Sequence, residues 1–197
     1  HGNDGGTVLR EVIDFDNAIK VAYDFYLKHK KETLIVVTAD HETGGMSMGN
    51  GEYRMNLQVL QHQNMSEDAF SSHLEQLGRE VGDVLTWEEV EAELKEHFGF
   101  WDKIKLSKNQ ENRLRSAYVE TFGMGESEKK AEEYYKVDKL SDLAVQIISE
   151  IAQVGWSSGA HTAAFVPVYA IGVGAENFTG QMNNIDIPTK IIEIANY

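Results

Sequence analysis

The chain is 197 residues long, 42% hydrophobic and acidic, with 32 Asp and Glu against 18 Lys and Arg for a formal charge of −14. That balance argues against a nucleic-acid binder, since phosphate contacts need Lys and Arg, and zero cysteines exclude a disulfide framework and a thiolate metal site. No apolar run approaches the roughly 18 residues of a membrane span.

The length allows one domain with a core, or a core with an appended subdomain. Three segments differ in character: 1–50, 51–155 and 156–197. In the first, Asp16 is a candidate helix cap ahead of Ala18, Ile19, Ala22, Tyr23, Phe25 and Tyr26, which make a broad apolar face. Lys28 to Lys31 close that helix with charge suited to a C-terminus. Residues 34–39 are apolar or β-branched without alternation, the pattern of a strand buried on both faces of a parallel sheet. The run ends directly in Asp40-His41, then Glu-Thr-Gly-Gly45. Open α/β sheets carry their chemistry at strand carboxyl ends, and a carboxylate with an imidazole there suits zinc. A bare Asp-His is also compatible with a capped turn.

The second segment reads as mostly helical. Tyr53 to His62 alternates through Met55, Leu57 and Val59 and predicts a strand. Ser66 precedes Glu67-Asp68 and the stripe Phe70, Leu74, Leu77, Val81, while Thr86 to Glu89 and Ser107 to Gln110 are capping boxes. Ser141 opens a last helix that Gly155 stops. Trp87, Phe98, Phe100 and Trp101 are assigned to its core. His62, His73 and His97 lack ligand spacing and are expected to stay clear of the catalytic metals, and His29 to be solvated. The acidic runs over 88–93 and 126–133 are expected to be solvated helix faces, since calcium-loop spacing is missing.

The third segment returns to α/β character. Ala163 to Val173 predicts a second strand, with Pro167 hinting at an edge or bulge. Pro188 suits the first turn of a terminal helix, Thr189 to Ala195.

Thr38-Ala-Asp40-His41-Glu-Thr-Gly-Gly resembles the second metal-ligand motif of bacterial alkaline phosphatases. Ser157-Ser-Gly-Ala-His161-Thr162-Ala resembles that family's late His-Thr motif, and His1-Gly-Asn-Asp-Gly-Gly resembles the segment at its first metal histidine. The likeness covers residues 1–50 and 156–197 and hardly touches the middle. It implies an α/β sandwich with a central, mostly parallel sheet, into which 51–155 is inserted between the metal motifs. It further implies two zinc ions ~4 Å apart around a phosphate monoester. Asp40 and His41 would hold the zinc beside a serine nucleophile, and His1 and His161 the zinc at the leaving oxygen. Thr162 would orient His161 from behind.

The same resemblance puts the serine, the phosphate-binding arginine and the Mg²⁺ ligands upstream of His1. The expected identity is therefore the C-terminal portion of a zinc- and magnesium-dependent phosphatase, periplasmic or secreted and homo-oligomeric, inactive as this chain alone. Other metal-dependent hydrolases of the superfamily, for phosphodiesters or phosphonates, and a non-catalytic fragment remain open at this stage. Strands lacking flanking segments are expected to associate through the sheet or its exposed face.

Overall fold

The computed structural model describes residues 2–51, 53–122 and 139–195. His1 and the acidic run over 126–133 lie outside them. The elements in chain order are α1 (Gly5–Lys28), β1 (Leu34–Val37), β2 (Met46–Met48), α2 (Glu67–Val81), α3 (Trp87–Phe98), α4 (Lys108–Phe122), α5 (Lys139–Ala152), β3 (Val154–Trp156), β4 (Tyr169–Gly172) and α6 (Asp186–Ala195). The class is mixed α/β, as the sequence indicates. Two compact units divide the chain: residues up to Leu9 with Met46–Gly159, and Arg10–Gly45 with the residues from Ala160 onward.

The first unit is helical. Its core is built from Phe70 and Leu74 of α2, Val90, Leu94 and Phe98 of α3, Leu114 of α4, and Ala144, Ile147 and Ile148 of α5, all fully buried. α5 is the hub, packing on α2, α3 and α4. The caps are those the sequence announces. Ser66 Oγ accepts from Ala69 N, Thr86 and Glu89 form the reciprocal capping box, and Ser107 and Gln110 repeat it, with Gln110 N donating to Ser107 Oγ at 3.3 Å and Ser107 N to Gln110 Oε1 at 2.9 Å. Gly82 and Gly99 end α2 and α3 at φ of 73° and 70°, where a Cβ would be strained. Trp87, Phe98 and Phe100 are buried and Trp101 packs against them. β2 and β3 pair antiparallel, Met46 opposite Trp156 and Met48 opposite Val154.

Three expectations for this unit change. Leu57–His62 is a 3₁₀ helix, not a strand; alternation over so short a run does not separate the two when one buried residue, Leu60, anchors it. The last helix starts at Lys139, before Ser141, and stops at Ala152; Gly155 lies in β3. The face over 88–93 is not wholly solvated, because Glu93 is half-buried against two histidines.

α1 begins eleven residues ahead of Asp16, which therefore sits inside the helix and caps nothing. The cap is Asp4, whose buried carboxylate accepts from Thr7 N at 3.0 Å, Thr7 Oγ1 at 2.8 Å, Gln63 Nε2 at 2.8 and 2.9 Å, and Glu67 N at 3.1 Å. A side chain at Gly6 would collide with the Gln63 amide, whose Cδ lies 2.9 Å from the position of a Cβ. Close approach, not flexibility, explains that glycine.

In the second unit β1 pairs with β4, Leu34 opposite Gly172 and Val37 opposite Tyr169. The pairing is antiparallel, against the parallel reading of the apolar run. Both strands are shorter than predicted, and β1 is only half-buried. A two-stranded ribbon cannot cover both its faces. Phe178 is the one buried large apolar residue among the unit's described residues, while Val12, Ile13, Phe15, Val21, Phe25, Phe165 and Tyr169 are exposed. Of the apolar face assigned to 18–26, only Ile19 and Tyr26 are half-buried. α6 begins at Asp186, so Pro188 falls in its first turn.

Candidate metal site at the strand ends

β1 delivers its carboxyl end to a loop fixed to the chain entering β4: Thr38 Oγ1 donates to the carbonyl of Pro167 at 3.1 Å. Asp40 follows, exposed, with Oδ1 accepting from His41 N at 3.0 Å and Oδ2 lying 3.4 Å from His41 Nε2. His41 Nδ1 lies 2.8 Å from the Glu42 carbonyl, which can only accept, so Nδ1 carries the proton in that contact. Nε2 is the nitrogen on the side of the Asp40 carboxylate. A second ring nitrogen donating to a backbone carbonyl is how metal-binding imidazoles are held.

His161 comes from 120 residues further along, yet its ring stacks on His41 with centroids 3.7 Å apart and planes at 26°. Glu42 makes that possible. One of its carboxylate oxygens accepts from Gly44 N at 2.7 Å and Gly45 N at 2.6 Å, and the other accepts from Thr162 N. Partial desolvation would raise its pKa, but the bonds from the Thr162 backbone and hydroxyl, Gly44 and Gly45 outweigh that and hold it at about 2. Glu42 is thus ionised at any working pH and clamps the loop after β1 to the loop bearing His161. Thr162 Oγ1 also accepts from Ala164 N at 3.3 Å. Thr162, next to His161 in sequence, is thus held by the Glu42 carboxylate.

Asp40, His41, His161 and Thr162 are brought into one region of the second unit, while His1 is outside the described residues. Imidazole nitrogen and carboxylate oxygen are donor types that zinc takes, though Asp40, His41 and His161 are not a trio whose ligand atoms all lie within 4.8 Å of one another. Glu42 escaped the sequence reading. Its signal is only a carboxylate just before Gly44-Gly45, and its partner Thr162 is remote in sequence. A second group also escaped: among the described residues, His73, Glu93 and His97 of the helical unit are the trio whose ligand atoms all lie within 4.8 Å of one another.

The family model described as alkaline phosphatase matches residues 1–197. The chain belongs to the alkaline phosphatase family. It is 31% identical over 198 residues to alkaline phosphatase 3 of Bacillus subtilis, and 30% identical over 195 residues to alkaline phosphatase 4 of the same organism. These alignments span 100% and 98% of this chain but 37% and 36% of the relatives, so the chain covers about a third of their length. A crystal structure of a cold-active alkaline phosphatase from a psychrophilic Shewanella superposes with a TM-score of 0.68 at 27% identity, over 98% of this chain and 41% of that one.

Proposed function

We propose that residues 1–197 are the portion of an alkaline phosphatase that contributes Asp40 and His41 to one zinc and His161, with His1, to a second, in hydrolysis of phosphate monoesters. The observation that carries this is the stacked His41–His161 pair held by the Glu42 clamp. Zinc bound there would supply positive charge to the phosphoryl oxygens and lower the pKa of a nucleophile. The work of this chain is positional. Asp40 and His41 hold one ion, the Glu42 carbonyl fixes the His41 tautomer, and the Glu42 carboxylate sets the loop that carries His161. In this reading the serine that is phosphorylated, the phosphate-binding arginine and the Mg²⁺ ligands belong to residues other than 1–197. The same reading makes the whole protein periplasmic or secreted and a homo-oligomer.

The test is hydrolysis of p-nitrophenyl phosphate at alkaline pH by the full-length polypeptide carrying this chain, beside the isolated 197 residues. The full-length protein is expected to turn over, to lose activity to a chelator and regain it with zinc. Asp40→Ala and His161→Ala should each lower kcat/KM by about 100-fold or more. The isolated chain should be inactive. Full activity in the Asp40→Ala, His161→Ala double variant would overturn the assignment.

A further inference from the structure

α2 and α3 meet at a cluster that the helical core does not account for. Glu93 and His97 are four apart on α3 and so share a face, and His73 of α2 faces them. Glu93 Oε2 lies 2.6 Å from His73 Nε2 and 3.3 Å from His97 Nε2. The two rings are edge-on with centroids 5.0 Å apart, and the Phe70 ring packs against both.

His97 is buried, and its other nitrogen is held. Nδ1 lies 2.6 Å from Asn64 Oδ1. The direction of that amide is set by Asn64 Nδ2 donating to the Glu96 carbonyl at 3.4 Å, and Asn64 N bonds the His97 carbonyl at 3.0 Å. Asn64 Oδ1 only accepts, so Nδ1 donates and the lone pair of a neutral His97 sits on Nε2, aimed at a carboxylate oxygen. Two acceptors facing each other at 3.3 Å need a cation between them, either a proton or a metal ion.

We propose that His73, Glu93 and His97 form a zinc-type site for a divalent transition-metal ion, bridging α2 and α3. The donor set is two imidazoles and one carboxylate, which satisfies three positions of a tetrahedral zinc and leaves a fourth for water. His73 is half-exposed, with a side-chain exposure of 32%, so that position opens to solvent. Ligands about 2.1 Å from zinc stand roughly 3.4 Å apart around a tetrahedron. The Glu93–His97 spacing already meets this, and a His73 rotation that breaks its contact with Glu93 completes it. Asn64 is the positioning residue, holding the buried imidazole with its metal-binding nitrogen inward.

Cobalt(II) titration of the 197-residue chain tests this, with Asp40→Ala and His161→Ala in place to silence the other donors. One ion per chain is expected, with a visible d–d band that zinc displaces. His73→Gln and His97→Gln should each weaken binding by about 100-fold, and Asn64→Ala by 10- to 100-fold, with helix content unchanged by circular dichroism. No saturable band in a helically intact chain would mean that a proton alone joins the three side chains, and would overturn the proposal. A band unaffected by His73→Gln would overturn it equally. In the otherwise unaltered chain His73→Gln must remove one zinc from the bound stoichiometry, and an unchanged count refutes the site even if the silenced background fails to fold.

Discussion

Replacing Glu67 by Gln should stabilise the helical unit, and only above a definite pH. Glu67 is buried at the start of α2, and burial pushes its carboxyl from 4.5 up to about 7, helped by the negative charges of Asp142, Asp68 and Asp4. Glu150, which lines the same cleft, is neutralised by Arg113 through two bonds of 2.8 Å, and the chain's ammonium end only partly offsets the three aspartates at Glu67. The folded chain therefore holds a proton that the unfolded chain releases between pH 4.5 and 7. More protons bound in the folded state means stability falls as pH rises through that window. At 1.36 kcal/mol per unit the shift corresponds to about 3 kcal/mol, and on the order of 2 after discounting for solvent screening. Glu67→Gln removes the ionisation and keeps the shape. Trp87, Trp101 and Trp156 all lie in this unit, so urea unfolding followed by tryptophan fluorescence reports on it alone. Variant and parent should match near pH 4.5, and the variant should be more stable by about 2 kcal/mol at pH 8. A difference that is the same at both pH values would show that burial of Glu67 does not govern its ionisation.

Gly6→Ala should destabilise the helical unit by about 1–3 kcal/mol, because the new methyl meets a Gln63 amide that Asp4 and Met65 hold in place; a Tm unchanged within a degree would contradict the packing. Glu42→Ala should cut zinc affinity at Asp40 and His41 by 10- to 100-fold in calorimetry without touching a ligand, since it removes the bonds to Gly44 and Gly45 that hold the loop after β1. Unchanged affinity would mean that the loop is held by its other contacts.

What the sequence disclosed was what local chemistry decides. Ser66, Thr86 and Ser107 announce helices because a cap and its partner are three residues apart, and the structure forms each bond. Asp16 misled because the same residue type also occurs inside helices, and the real start depends on Asp4 meeting Gln63 and Glu67, some sixty residues away. The direction of strand pairing was equally out of reach. Residues 34–39 are apolar whether their neighbour runs parallel or antiparallel, and β4 decides the matter from far along the chain. Short motifs singled out Asp40, His41 and His161, and the structure brings these residues into one region, but the Glu42 clamp and the His73 approach to Glu93 and His97 are tertiary events with no sequence period.

The antiparallel pair β2–β3 has a consequence for how this protein varies. Met46–Met48 and Val154–Trp156 lie side by side, and Ser47 Oγ donates to the Gly155 carbonyl at 3.3 Å. The segment carrying α2 to α5 leaves after β2 and returns into β3, so its two ends are already joined, while Asp4 and Gly5 bond it from the start of the chain. Doubling the length of a loop closed in this way costs only about 0.6 kcal/mol. Insertions and deletions within the segment that spare the Gln63, Glu67 and Ser149 contacts of Asp4 and Gly5 are therefore cheap, while the strand end bearing Asp40 and His41 keeps its own hydrogen bonds. Recombination breakpoints within the alkaline phosphatase family should gather at this neck.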